Sequence, residues 1–177
     1  MAPGYIPIVS DAMRVPRLAA RIAVLDPEGA IFLQLHDDVE IGLHWVIPGG
    51  GLEDGEDELT GALREVVEET GWTDIQTGPA LWRWEHDYTR AGVPTRQSEV
   101  IFQGAGPRRE PIGDLAASYA LDGIMTCRWW TPDELDHCPQ PLWPPRLAEL
   151  LADLRTDGPP PTPIDLGYVP NVLPGTA

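Results

Sequence analysis

The sequence predicts a mixed α/β sandwich of the α+β kind. Segments read in the order strand, strand, strand, helix, strands, helix, helix, which does not fit an alternating βαβ fold. One central segment carries a clear helical period. The length of 177 residues, 42% of them hydrophobic, fits one folded domain and leaves little for a second.

Residues 1–16 include three prolines and have little pattern, so an N-terminal arm is expected there. Arg17 to Leu25 is apolar, Asp26-Pro27-Glu28-Gly29 is a turn signal, and Ala30 to Leu35 is apolar again. Two strands joined by a tight turn follow from that pattern. His36 to Gly42 is polar and reads as a loop. His44 to Ile47 reads as a short strand stopped by Pro48-Gly49-Gly50-Gly51. In Asp57 to Thr70, Leu59, Ala62, Leu63 and Val66 recur at helical spacing, and Gly71 stands where a helix C′ glycine belongs.

Leu81 to Tyr88 and Gln97 to Phe102 read as an antiparallel pair around Ala91-Gly92-Val93-Pro94, and Arg108 to Leu121 as loop or short helix. Met125 to Trp130 reads as a strand. Thr131 as N-cap, Pro132 at N1 and Glu134 at N3 then make a capping box. Leu147 to Leu154 is an amphipathic helix. The domain is expected over 17–156, followed by a Pro/Gly-rich C-terminal tail over 157–177.

The formal net charge is −16 and every basic residue is arginine. Such a surface repels nucleic acid and anionic membranes, so neither is expected as a partner. It also repels small phosphate compounds unless local cations intervene. No apolar run approaches the roughly 20 residues of a membrane-spanning helix, and Met1 to Arg14 carries no secretory pattern. Cys127 and Cys138 make no zinc framework, and two reduced thiols in a cytoplasmic protein are expected.

Glu65, Glu68 and Glu69 stand at i, i+3 and i+4 of the central helix, beside its apolar arc. Like charges so placed cost roughly 0.2–0.5 kcal/mol per pair even when solvated. Arg64 alone cannot neutralise three carboxylates. Hard divalent cations take oxygen ligands, so an acidic helix edge of this kind suits Mg²⁺. Gly49-Gly50-Gly51 upstream lets backbone approach an ion closely. A solvated charged helix face is the plainer alternative.

The wider spacing resembles the Nudix box. Gly50, five residues, Glu56, seven residues, Arg64-Glu65-Val66, one residue, Glu68-Glu69, one residue and Gly71-Trp72 follow it throughout. Trp72 departs from the usual aliphatic residue, and Trp45 to Gly50 resembles the family's approach to the box. The resemblance implies an α/β/α sandwich with a mixed β-sheet, and a Mg²⁺-dependent (or Mn²⁺-dependent) pyrophosphohydrolase of the MutT-like kind. Its substrate would be a nucleoside diphosphate linked to another moiety. It further implies metal ligands at Glu65, Glu68, Glu69 and the Gly49 carbonyl, and structural roles for Gly50, Glu56, Arg64 and Gly71. A later-strand carboxylate is expected as well, Glu99 first and Glu85 second. Glu65, Glu69 or Glu99 would take the proton from water. A homodimer is compatible with the family.

Outside the box, Tyr88, Arg83 and Arg96 are candidate substrate contacts, with Arg90 a further cation. Trp82, Trp84, His86 and Tyr88 alternate onto one strand face, which suits either base stacking or core. His36, His44, His86 and His137 show no metal spacing and read as structural. The rival to an enzyme is a Nudix-fold regulatory module that binds a nucleotide without cutting it; the intact acidic positions favour the enzyme.

Overall fold

In the computed structural model, residues 14–170 are described; residues 1–13 of the arm expected over 1–16 and the last seven tail residues lie outside them. The strands are β1 (Val15–Leu25), β2 (Ile31–Asp38), β3 (Gly42–Val46), β4 (Gly49–Gly51), β5 (Gln76–Arg90), β6 (Val93–Ala105), β7 (Ile124–Trp130), β8 (Leu142–Trp143) and β9 (Ile164–Val169). The helices are α1 (Glu58–Thr70), α2 (Ala116–Asp122), α3 (Pro132–Asp136) and α4 (Leu147–Asp157). The sheet runs β8-β3-β2-β1-β6-β5-β9, with β4 on β1 and β7 on β2. It is mixed: β1 lies parallel to β6, whereas β5 and β6 form an antiparallel hairpin.

Alternation along the strands divides the core into two layers. Ile22, Val24, Phe32, Val100 and Trp129 pack with Ala62, Val66 and Trp72 on the α1 side. Ala23, Ile31, Leu33, Ile101 and Trp130 pack with Leu147, Leu151 and Leu154 on the α4 side. Neighbours in sequence thus serve opposite faces, and the result is the expected α/β/α sandwich.

Asp57 caps α1 by accepting from the Thr60 N–H, and Gly71 ends it in the left-handed region. The Thr131–Glu134 capping box of α3 forms as expected. Ala91 and Gly92, both at positive φ, make the two-residue turn between β5 and β6.

The structure departs from these expectations in four places. The glycines after Pro48 do not merely stop a strand: they form β4, which pairs with Ala19 to Arg21 of β1. Positions 36–38 extend β2 past a register shift, so that His36 faces His44 on β3. The expected tail over 157–177 also contains a strand. The chain returns as β9 and lies parallel to the outer edge of β5, pairing Trp82 with Ile164 and His86 with Val169. Satisfying the backbone groups of β5 outweighs the loop-forming tendency of the preceding prolines. Val15 and Pro16 likewise belong to β1, not to an arm.

Candidate active site

A cavity of about 490 Å³ opens between α1, α2 and the β1–β6–β5 part of the sheet. Glu65 and Glu69 reach it from α1. Glu69 is 2% exposed and accepts from Gln34 Nε2 at 2.9 Å and from the Gly49 N–H at 3.0 Å. Burial pushes its carboxyl up to about 8, against the opposing pull of Gln34 and Arg21. Burial also raises Glu65, although Arg64 Nη1 sits 2.9 Å away.

Asp122, the last residue of α2, completes the group: one carboxylate oxygen each from Glu65, Glu69 and Asp122 lies within 4.8 Å of the others. A donor set made only of hard oxygens, raised towards protonation by burial, fits a divalent cation such as Mg²⁺. The glycine strand completes the fit, since a Cβ on Gly50 would come within 2.6 Å of the Glu65 carboxyl carbon. Glu68 is not in this cluster. It is half exposed, with Arg64 at 3.4 Å.

Arg64 ties helix to loop. Its Nε and Nη2 form a fork on Glu56 at 2.9 Å each, and Nη2 also donates to the Gly51 carbonyl. That guanidinium holds Glu56 down to about 2. Gly71 supplies the left-handed cap, and a side chain there would strike the Ile112 backbone.

Glu99 lines the cavity, but its carboxylate is already engaged. Arg21 Nε donates at 2.7 Å, Gln97 Nε2 at 2.7 Å and Trp84 Nε1 at 2.5 Å, with His86 Nε2 at 3.5 Å. Burial alone would raise it; Arg21 and the His86 contact instead hold it well below the usual carboxylate range. The Gly49 carbonyl also accepts from Arg21, Nη1 at 3.1 Å.

Tyr88 faces the cavity, its hydroxyl bonded to Arg17 and Gln97. Arg83, Arg96 and Glu85 do not reach it. Strand alternation turns Arg83 and Glu85 to the other face, where Arg83 pairs with Glu58 and Glu85 accepts from Ser98. Arg96 is spent on Asp87, opposite it in the β5–β6 register. The cations that do line the cavity are Arg17, Arg21 and Arg90. Arg17 and Arg21 share one face of β1, and an arginine repeated at even spacing inside an apolar strand was the available signal. Asp122 had none, because only tertiary packing brings α2 to α1.

The histidines also differ from expectation. His36, His44 and His86 line the cavity beside Trp84 and Trp143, and His86 stacks on Trp84 at 4.2 Å. His36 Nε2 and His86 Nδ1 are buried without a hydrogen-bond partner. Burial, aided by Arg21 and His44, pushes His36 down to about 3, so that ring is neutral. Of the aromatic stripe, Trp82 and Trp84 both belong to the buried core, and Trp84 also lines the cavity. His137 stays on the surface, bonded to the Asp133 carbonyl. Cys127 and Cys138 are both free thiols.

Together these features define a class: an α/β/α sandwich with a carboxylate-edged cavity between an acidic helix and a glycine strand. The family model for the NUDIX domain matches residues 15–154, and the chain belongs to that family. Among curated proteins it is similar to the RNA pyrophosphohydrolase of Dinoroseobacter shibae, at 46% identity over 31% of this chain and 34% of that one. The RNA pyrophosphohydrolase of Novosphingobium aromaticivorans is 37% identical over 38% of this chain and 42% of its own. The matched region thus spans well under half of either relative. Among solved structures, the MutT protein from Methanosarcina mazei Go1 superposes with a TM-score of 0.58 at 15% identity, covering 81% of this chain and 95% of that one. At that identity the likeness concerns the fold. Among the described residues no helix is long and apolar enough to cross a membrane.

Proposed function

We propose that this chain is a Mg²⁺-dependent hydrolase that cuts a diphosphate linkage in a nucleoside diphosphate derivative: a nucleoside triphosphate, a dinucleoside polyphosphate or a nucleotide sugar. One observation carries the reading. One cavity is lined by the Glu65–Glu69–Asp122 cluster, by Arg17, Arg21 and Arg90 beside it, and by imidazole and indole rings. That lining suits a cation, a phosphate chain and a planar base.

Glu65, Glu69 and Asp122 would hold the Mg²⁺, or Mn²⁺ in its place. When bound, the ion offsets phosphate charge and lowers the pKa of a water. Arg17 and Arg21 would pair with phosphate oxygens in a molecule whose overall charge repels them. The unpartnered nitrogens of His36 and His86 would read the edge of the base, with Trp84 and Trp143 beside it. Of the carboxylates able to take a proton from water, Glu65 and Glu69 fit better than Glu99, whose oxygens already serve Arg21, Gln97 and Trp84.

The relatives named for RNA make a 5′-triphosphorylated oligonucleotide a necessary member of the substrate panel. The net charge of −16 and the limited volume of the cavity, about 490 Å³, favour small substrates over it. The test is release of phosphate, pyrophosphate and nucleoside monophosphate across that panel, with Mg²⁺ and with EDTA. Cleavage of a small nucleotide that EDTA abolishes is the expected result. Binding without cleavage would turn the reading to a regulatory module, and preference for the oligonucleotide would overturn the substrate class.

A further inference from the structure

The resemblance offers a cation two ligands beyond the α1 glutamates, the Gly49 carbonyl and a later-strand carboxylate, for which Glu99 is the candidate. Both are taken by the same side chain. Arg21 donates through Nε to Glu99 at 2.7 Å and through Nη1 to Gly49 O at 3.1 Å and Ile47 O at 2.7 Å. The arginine is 8% exposed and lines the cavity, and its Nη2 makes none of these bonds. An ion on Gly49 O, with an Mg–O distance of about 2.1 Å, would lie roughly 5 Å or less from Nη1. A guanidinium cannot relieve that repulsion by losing its proton.

We infer that Arg21 stands in for a metal ion, a fixed cation in the position a second divalent ion would need, so that the free chain holds one ion at Glu65, Glu69 and Asp122. The inference rests on the metal-dependent reading above. In this scheme Arg21 anchors the β4 backbone through Gly49 O and fills Glu99, and Nη2 is the nitrogen left for a phosphate oxygen. The β1–β6 register places Ala19 opposite Glu99, two residues from Arg21, within reach of its long side chain.

The experiment is a Mn²⁺ titration of the full chain, read as bound ions per chain by the loss of the free-ion paramagnetic resonance signal. One ion is expected for the wild type. Two are expected for Arg21→Met, which releases Glu99 and Gly49 O, and one again for Arg21→Met/Glu99→Gln. Because Arg21→Met leaves a buried carboxylate unpaired and can fail to fold, the double variant serves as a second arm. Its Mn²⁺ affinity should stay within about threefold of wild type, whereas loss of a true ligand or its support costs about tenfold or more. Two ions in the wild type, one in a folded Arg21→Met, or a tenfold loss in the double variant would overturn the inference. No bound Mn²⁺ in the wild type would instead sink the Glu65–Glu69–Asp122 reading itself.

Discussion

Glu69 is the most exposed to test among the single residues. It is buried, raised by that burial, and hydrogen-bonded to Gln34 and the β4 backbone. Glutamine keeps an acceptor for Gly49 N–H and carries no charge to desolvate. Glu69→Gln is therefore expected to lower Mg²⁺-dependent turnover by about 10²-fold or more, while the melting temperature in EDTA stays level or rises. Unchanged turnover would remove the assignment. Asp122→Asn should weaken Mn²⁺ binding without moving the far-ultraviolet circular dichroism; equal binding would confine the site to α1. The two residues also mark what sequence makes legible. Glu65 and Glu69 share a helix, so spacing alone aligns them. Asp122 joins them through packing between distant segments, and Arg83 and Arg96 do not line the cavity because packing decides which strand face borders it.

Among the elements, the turn between β1 and β2 depends on one side chain. Asp26 accepts from the Glu28 and Ala30 N–H groups at 2.9 and 2.8 Å and from Arg108 Nε at 2.7 Å. Burial raises its carboxyl, but Arg108 and the two backbone donors outweigh burial and bring it below the ordinary aspartate value. A depressed carboxyl contributes stability that is present above the unfolded value and lost as pH falls through the folded one. Asp26→Ala should cost about 1–3 kcal/mol near neutrality, and the difference between denaturant titrations of the two proteins should begin to narrow as pH falls below about 4 and keep narrowing below it. A gap that persists at low pH would refute it. At the sheet edge, β9 is held by Tyr168, whose hydroxyl bonds Asp87 and Arg96. Chain termination after residue 163 should lower the melting temperature and promote association through the bared edge of β5; an unchanged melt would make β9 ornamental. This strand was hidden by composition: its alternating Ile164, Leu166 and Tyr168 follow a proline-rich stretch that reads as disorder. β4 was hidden likewise, three glycines having no side-chain pattern to read.

At the scale of the whole molecule, a charge of −16 surrounds a cavity that carries three arginines. An anionic substrate crosses a repulsive outer field before it meets attractive local charge. Salt screens the long-range part first, since the Debye length is about 10 Å at 0.1 M. At saturating Mg²⁺, kcat/KM is expected to rise between roughly 20 and 150 mM NaCl; a steady fall would show that the arginine field dominates the approach. The parallel pairing of β1 with β6 has a consequence of another kind, in time. Arg21 and Glu99 are 78 residues apart, and α1 and β5 lie between them in the chain. During synthesis at about 5–20 residues per second, β1 waits several seconds for its central neighbour. Until then the guanidinium that organises the cavity floor has no carboxylate to meet, and long-range pairings of this sort are slow to close. Recovery of activity after dilution from denaturant should therefore follow the slowest folding phase and not the early return of helix signal: this enzyme becomes competent only when a strand pairing between distant segments has closed.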